Sequence, residues 1–110
     1  MTDDDVSVED MERYRINSET ARISWLELQR HFAAGRLVLV KDSLDLIDVA
    51  YQFSIDNSAQ AATWVATDSV AAVTDDLAQS FLDESANFWA VVVKPWVLIQ
   101  RTTDASETPY

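Results

Sequence analysis

The stretch Asn87–Arg101 reads N-F-W-A-V-V-V-K-P-W-V-L-I-Q-R, and no other part of the chain is as apolar or as rich in β-branched and aromatic residues. Residues of that kind suit a pleated, packed surface, so the stretch is expected to be the central strand region on which the helices pack. Phe88–Val93 and Trp96–Ile99 are nearly continuous apolar runs, the pattern of strands covered on both faces. Lys94-Pro95 interrupts them. Proline lacks the N–H that a ladder needs and pushes its predecessor towards extended geometry, which points to a bulge, a bend or an exposed edge within one long bent strand. A two-residue hairpin is disfavoured because primed turns want a positive φ that neither residue takes readily. Trp89 and Trp96 fill the core if they point inwards; pointing outwards beside a proline-broken edge, they mark a contact surface.

Upstream of this stretch the chain alternates helical and extended patterns. Asn17-Ser18-Glu19-Thr20 offers a helix N-cap with an acid in the first turn. Ile23, Leu26, Arg30 and Ala33 form one row at helical spacing, and Trp25, Leu28 and Phe32 form the next. The helix is expected to stop at Gly35, the one glycine in the chain, where a left-handed residue is wanted. Leu37–Val40 reads as a short buried strand. Asp42 or Ser43 caps a helix whose inward row is Leu46, Ala50, Phe53, Asn57, Ala61 and Trp64, running to about Ala66 or broken at Asp56-Asn57-Ser58. Val70–Val73 reads as another strand, and Thr74-Asp75-Asp76 as the start of a last helix.

Strands separated by helices favour crossover connections. The expected fold is α/β (or α+β): a small three- to four-stranded, at least partly parallel sheet covered by three to four helices. A chain of 110 residues fits one domain. Its expected boundaries are a disordered acidic tail over 1–16, a globular domain over 17–101 and a polar tail over 102–110.

Charge excludes several classes of function. The formal net charge is -11, and more than half of it lies in the two expected tails, where residues 1–16 hold six acids against two bases and 102–110 hold two acids. Direct nucleic-acid or membrane binding is not expected, because phosphate contacts need clustered Lys or Arg. The absence of cysteine removes disulfides and thiolate chemistry. The acidic start lacks the basic-then-apolar pattern of a signal peptide, and a cytoplasmic location is expected. One glycine rules out a phosphate loop, a dinucleotide fingerprint and a nucleophile elbow.

Four segments taken together resemble the DUF2288 family of small bacterial proteins: N-S-E-T-A-R-I-S-W-L-E-L at Asn17–Leu28, L-D-L-I-D-V-A at Leu44–Ala50, D-N at Asp56-Asn57 and F-W-A-V-V-V-K-P-W-V-L-I-Q at Phe88–Gln100. The resemblance spans nearly all of the expected globular part. It implies a single-domain bacterial cytoplasmic protein and brings no catalytic residues with it.

Three polar groups invite a functional reading. His31 is the sole histidine, and two helical turns would hold it about 10 Å from Ser24, too far for a nucleophile and its base. Asp42, Asp45 and Asp48 recur every three residues and could in principle hold a hard cation, but acids at a helix start stabilise the dipole without one, so no metal and no cofactor are expected. Asp56, Asn57 and Lys94 each interrupt an apolar element and could converge on a ligand, against the plainer reading of a helix-break cap and a solvent-facing lysine. The leading expectation is a non-enzymatic protein–protein interaction module, homodimeric or bound to another protein, through either the edge at Lys94, Pro95 and Trp96 or an aromatic helix face. The alternative is a small-molecule binder or unassigned enzyme centred on Asp56, Asn57 and Lys94.

Overall fold

A computed structural model describes residues 7–102. Its first element is helix α1, Val8–Glu19, with the Ser7 hydroxyl accepting from the Asp10 N–H at 3.0 Å as N-cap and with Glu9 and Asp10 in the first turn. This corrects the expected tail: residues 8–16 are helical, and Ile16 is only 1% exposed. The expectations for 1–6 and 103–110 lie outside the described residues.

Asn17-Ser18, expected to open a helix, instead belongs to the last turn of α1, where the Thr20 N–H donates to the Asn17 carbonyl. The chain then runs as strand β1, Ala21–Ser24, before helix α2, Trp25–Ala33. Capping residues signal a helix end as well as a helix start, and the Ile23–Leu26 spacing happened to continue the row of the true helix. The Trp25, Leu28 and Phe32 row packs inwards as read, Ile23 of the other row packs against the same core from β1, and Leu26 is 67% exposed. Gly35 has φ +72 as expected after a helix, and the Gly35 and Arg36 N–H groups donate to the Phe32 and His31 carbonyls.

Strand β2, Leu37–Val40, leads to helix α3, Leu46–Ser54, whose N-cap is Asp45 rather than Asp42 or Ser43. Helix α4, Ser58–Ala66, follows a break at Asp56, which takes φ +60. Strand β3, Val70–Ala72, helix α5, Asp75–Asp83, capped by Thr74, and strands β4, Asn87–Val93, and β5, Trp96–Arg101, complete the chain.

β4 and β5 form an antiparallel hairpin, from the Phe88–Arg101 pair to Val93–Trp96, so the expected single bent strand is corrected to two. The Val93–Trp96 pair leaves Lys94 and Pro95 as a two-residue loop with proline at its second central position and a cis Lys94-Pro95 bond, a turn class other than the primed ones. Nor does the proline blunt an edge, because β4 and β5 lie inside the sheet order β1-β4-β5-β2-β3. β2 pairs parallel with β5 and the other three pairs are antiparallel. The fold is therefore α+β, a five-stranded mixed sheet with five helices among the described residues, one or more of each beyond the expected numbers.

Period-two alternation sends β4 and β5 side chains to two separate cores. On one face Val91 and Leu98 pack with Ile16, Val40, Val49, Ala50 and Trp64 under α1, α3 and α4. On the other, Phe88, Val97 and Ile99 pack with Trp25, Leu28 and Phe81 under α2 and α5. The Phe81 and Phe88 rings meet edge to face at 4.9 Å, and Trp25 tilts against both. The continuous apolar runs thus reflect burial from both sides, as read.

Candidate functional site

Asn57 is held by local structure. Its side-chain oxygen accepts from the Gln60 N–H at 3.2 Å as N-cap of α4, and its amide nitrogen donates to Gln52 Oε1 at 2.8 Å. Asp56 is exposed and supplies the left-handed residue that turns α3 into α4. Lys94 is exposed at the hairpin tip and lines a recess of about 420 Å³ with Glu12, Arg15, Glu19, Ser54 and Val92. Among the described residues no hydrogen bond or ion pair joins Lys94 to Asp56 or Asn57, and that recess reaches Ser54 of α3 but neither of them.

The three aspartates part in the same way. Asp45 caps α3 by accepting from the Ile47 N–H at 3.0 Å, Asp48 pairs with Arg13 at 2.8 Å, and Asp42 lies exposed in the preceding turn. No group of three His, Asp or Glu side chains suited to a metal occurs among the described residues. Ser24 is the N-cap of α2 and His31 lies half-buried near its end, with no hydrogen bond between them.

Two surfaces stand out instead. The first is the hairpin end of the sheet, where Trp96 is 40% and Val92 56% exposed beside exposed Lys94 and Pro95. Beside it α1 carries a row of paired charges. Arg15 hydrogen-bonds Glu12 and reaches Glu19 at 3.0 Å, which holds the Glu12 carboxyl below its ordinary range and raises the Arg15 guanidinium. Glu12 and Glu19 thus share one guanidinium, and the row keeps one negative charge in excess beside the Lys94 ammonium.

The second surface was not visible in sequence. A cleft of about 350 Å³ lies between the end of α1 and the start of α3, floored by Trp89 and Gln100 and rimmed by Asn17, Thr20 and Asp45. Gln100 Nε2 donates to the Lys41 and Leu44 carbonyls at 2.8 and 2.7 Å, which pins the loop before α3 to β5 and fixes that side of the cleft. Trp89 is 40% exposed, with the Arg22 guanidinium 5.5 Å from its ring centre. These residues come from four elements, α1, α3, β4 and β5, spread along the chain, so no local motif announces them. The one legible signal was a pair of tryptophans in the strand region with unassigned orientation.

The family model described as a protein of unknown function, DUF2288, matches residues 11–101. The solution NMR structure of PA1075 from Pseudomonas aeruginosa is similar over 100% of this chain and 98% of its own, at 35% identity and a TM-score of 0.74. No curated protein matches the chain.

Proposed function

The chain belongs to the DUF2288 family, and from that premise we propose that it works as a non-enzymatic protein–protein interaction module in the bacterial cytoplasm. The observation that carries this reading is the pair of tryptophans, Trp89 and Trp96, each 40% exposed on one face of a sheet whose centre is otherwise closed by α1 and α3. Tryptophan is enriched at interface hot spots because a large rigid ring buries much area at little entropic cost. At the hairpin tip Trp96 stands with Pro95 and the Lys94 ammonium, an apolar anchor beside a cation, which suits a partner that offers an apolar pocket rimmed by carboxylates. No helix among the described residues is long and apolar enough to cross a membrane.

The test is affinity capture from the source cell's lysate with the wild-type chain and with Trp96→Ser, the captured proteins being identified by mass. A stoichiometric partner retained by the wild type and lost with Trp96→Ser supports the module. Identical capture by both chains removes the hairpin tip as the contact.

A second reading, a small-molecule binder, draws on the Trp89 cleft, where an aromatic floor meets the Asn17 amide and the Asp45 carboxylate. The alternative centre at Asp56, Asn57 and Lys94 is weaker, because Asn57 spends its amide on Gln52 and Gln60. A metabolite screen read by the Trp89 indole resonance tests the cleft; an unmoved resonance discards it.

A further inference from the structure

Among the described residues strand β1 is one edge of the sheet, and its ladder shows which of its backbone groups point away from β4. The Trp25 N–H donates to the Ala86 carbonyl, and Trp25 opposite Ala86 continues the register in which Ser24 faces Asn87 and Ala21 faces Ala90. In an antiparallel ladder hydrogen-bonded and non-bonded pairs alternate. Ala21 and Ile23 therefore bond to β4, and the N–H groups of Arg22 and Ser24, with the Arg22 carbonyl, point away from the sheet. An edge of this kind is a template for another strand.

Next to that edge one corner of the sheet is left open. On the face packed by α2 and α5, Val92 is 56% exposed, Ala21 is exposed and Ala90 half-exposed. Helix α2 forms the wall of this corner, and a shallow groove of about 390 Å³ along it is lined by Ile23, Leu26, Glu27, Arg30 and His31. Leu26, at 67% exposure, stands free at its rim.

We propose that two copies of this chain join through β1, edge to edge and antiparallel, about a twofold axis at Ile23. That axis sets Arg22 opposite Ser24 of the second copy in a hydrogen-bonding position, so that each Ser24 N–H meets the other copy's Arg22 carbonyl. Ile23 faces its own counterpart in the close, non-bonded position. Because α2 begins directly after β1, the reversed strand carries the second copy's Leu26 to the level of Ala21, above the open corner formed by Ala21, Ala90 and Val92. Each copy thus supplies the knob that the other's corner lacks, as an isologous interface requires.

Charge selects this edge over the other. The chain carries -11 overall, yet the β1–α2 edge holds Arg22 and Arg30 with Glu27 and so does not repel itself. Arg30 and Glu27 form no ion pair among the described residues, which leaves both available to the antiparallel helix of a second copy. Strand β3, the opposite edge, has three residues and is flanked by Asp68, Asp75 and Asp76, which set like charges against like in any self-pairing. The inference adds a second surface to the interaction-module reading. The two fail separately, because Trp96→Ser leaves this interface untouched and Leu26→Lys leaves the hairpin tip untouched.

The test is sedimentation of the full chain from about 5 µM to about 500 µM, the range suited to an interface at the small end of the stable class. Amide exchange is followed residue by residue in parallel. A concentration-dependent dimer is expected, with exchange at Ser24 slowing as it forms while Ala21 and Ile23 stay protected throughout. Leu26→Lys changes an exposed residue and is expected to weaken the dimer at least tenfold. Ser24→Pro, which deletes the N–H that crosses the interface at a position whose φ of -83 suits proline, is expected to do the same, with circular dichroism unchanged in both variants. A monomer across the range, a dimer indifferent to Leu26→Lys, or exchange at Ser24 independent of concentration would each overturn the proposal.

Discussion

Replacing Ile16 by Ala tests whether α1 belongs to the domain. Ile16 is 1% exposed and sits in the core with Val49, Ala50, Val91 and Leu98, so truncation removes three carbons' worth of buried surface and leaves a cavity between α1, α3 and the sheet. Ile→Ala changes at such sites cost about 2–5 kcal/mol, and about 3 kcal/mol is expected here because α1 is an end element that can settle partly into the space. Against a total stability of about 5–15 kcal/mol for a domain of this kind, that is a large fraction. For a domain near 100 residues each kcal/mol moves Tm by about 4–8 °C, so a fall of about 12–24 °C is expected. Urea unfolding followed by tryptophan fluorescence measures it, since Trp25 and Trp64 are buried and report the two cores separately. Val8→Ala, at an 83% exposed position of the same helix, is the control and should stay within about 0.5 kcal/mol. A loss below that margin for Ile16→Ala as well would refute the packing of α1 and return residues 8–16 to the status of a tail.

The other core is probed by Phe88→Ala, which removes a fully buried ring that meets Phe81 at 4.9 Å; about 3–5 kcal/mol and much of the near-ultraviolet dichroism should be lost, whereas Phe88→Leu should recover part of both. Asn57→Ala deletes the α4 cap and the bond to Gln52 and should cost about 1 kcal/mol in urea unfolding, while Asn57→Asp, which keeps the acceptor for Gln60, should cost less. The Arg101 guanidinium, and after it the Ser80 hydroxyl, hold the Glu84 carboxyl below its ordinary value of 4.5. Its contribution is present above that unfolded-chain value and is lost as pH falls through the lower folded value, because the unfolded chain then binds the extra proton. Melting curves should therefore show Glu84→Gln less stable than the wild type near neutrality, with the gap closing as pH falls below the unfolded-chain value of 4.5; a gap constant with pH contradicts the assignment.

Much of the architecture was readable because local chemistry and tertiary structure agree there. Gly35 sits at a left-handed position, and Thr74 with Asp75 and Asp76 starts a helix, since a cap and a dipole act within one turn. The region 17–24 was misread because its caps and its apolar spacing serve two short elements as well as one long one. Four residues of strand carry too little pattern to compete with a helical row running through Ile23 and Leu26. The hairpin was misread because the choice between bend and turn at Lys94-Pro95 rests on whether Phe88–Val93 pairs with Trp96–Arg101, which two apolar runs in succession do not specify.

The candidate sites divide along the same line. Asn57 could be recognised as a polar break in an apolar row and Asp45 as one of the acids at a helix start, and both prove to be helix caps, an outcome of local hydrogen bonding. The Trp89 cleft depends on Asn17, Asp45 and Gln100 meeting across more than eighty residues of chain, and no spacing rule reaches that far. By itself the sequence determined family membership, the two-sided burial of Phe88–Val93 and Trp96–Ile99, and the helix ends at Gly35, Ala66 and Thr74, because each follows from neighbours in the chain. Only the tertiary structure decided the strand order, the packing of α1 and which backbone groups β1 leaves free, because pairing across the sheet is settled by contacts between segments far apart in the chain.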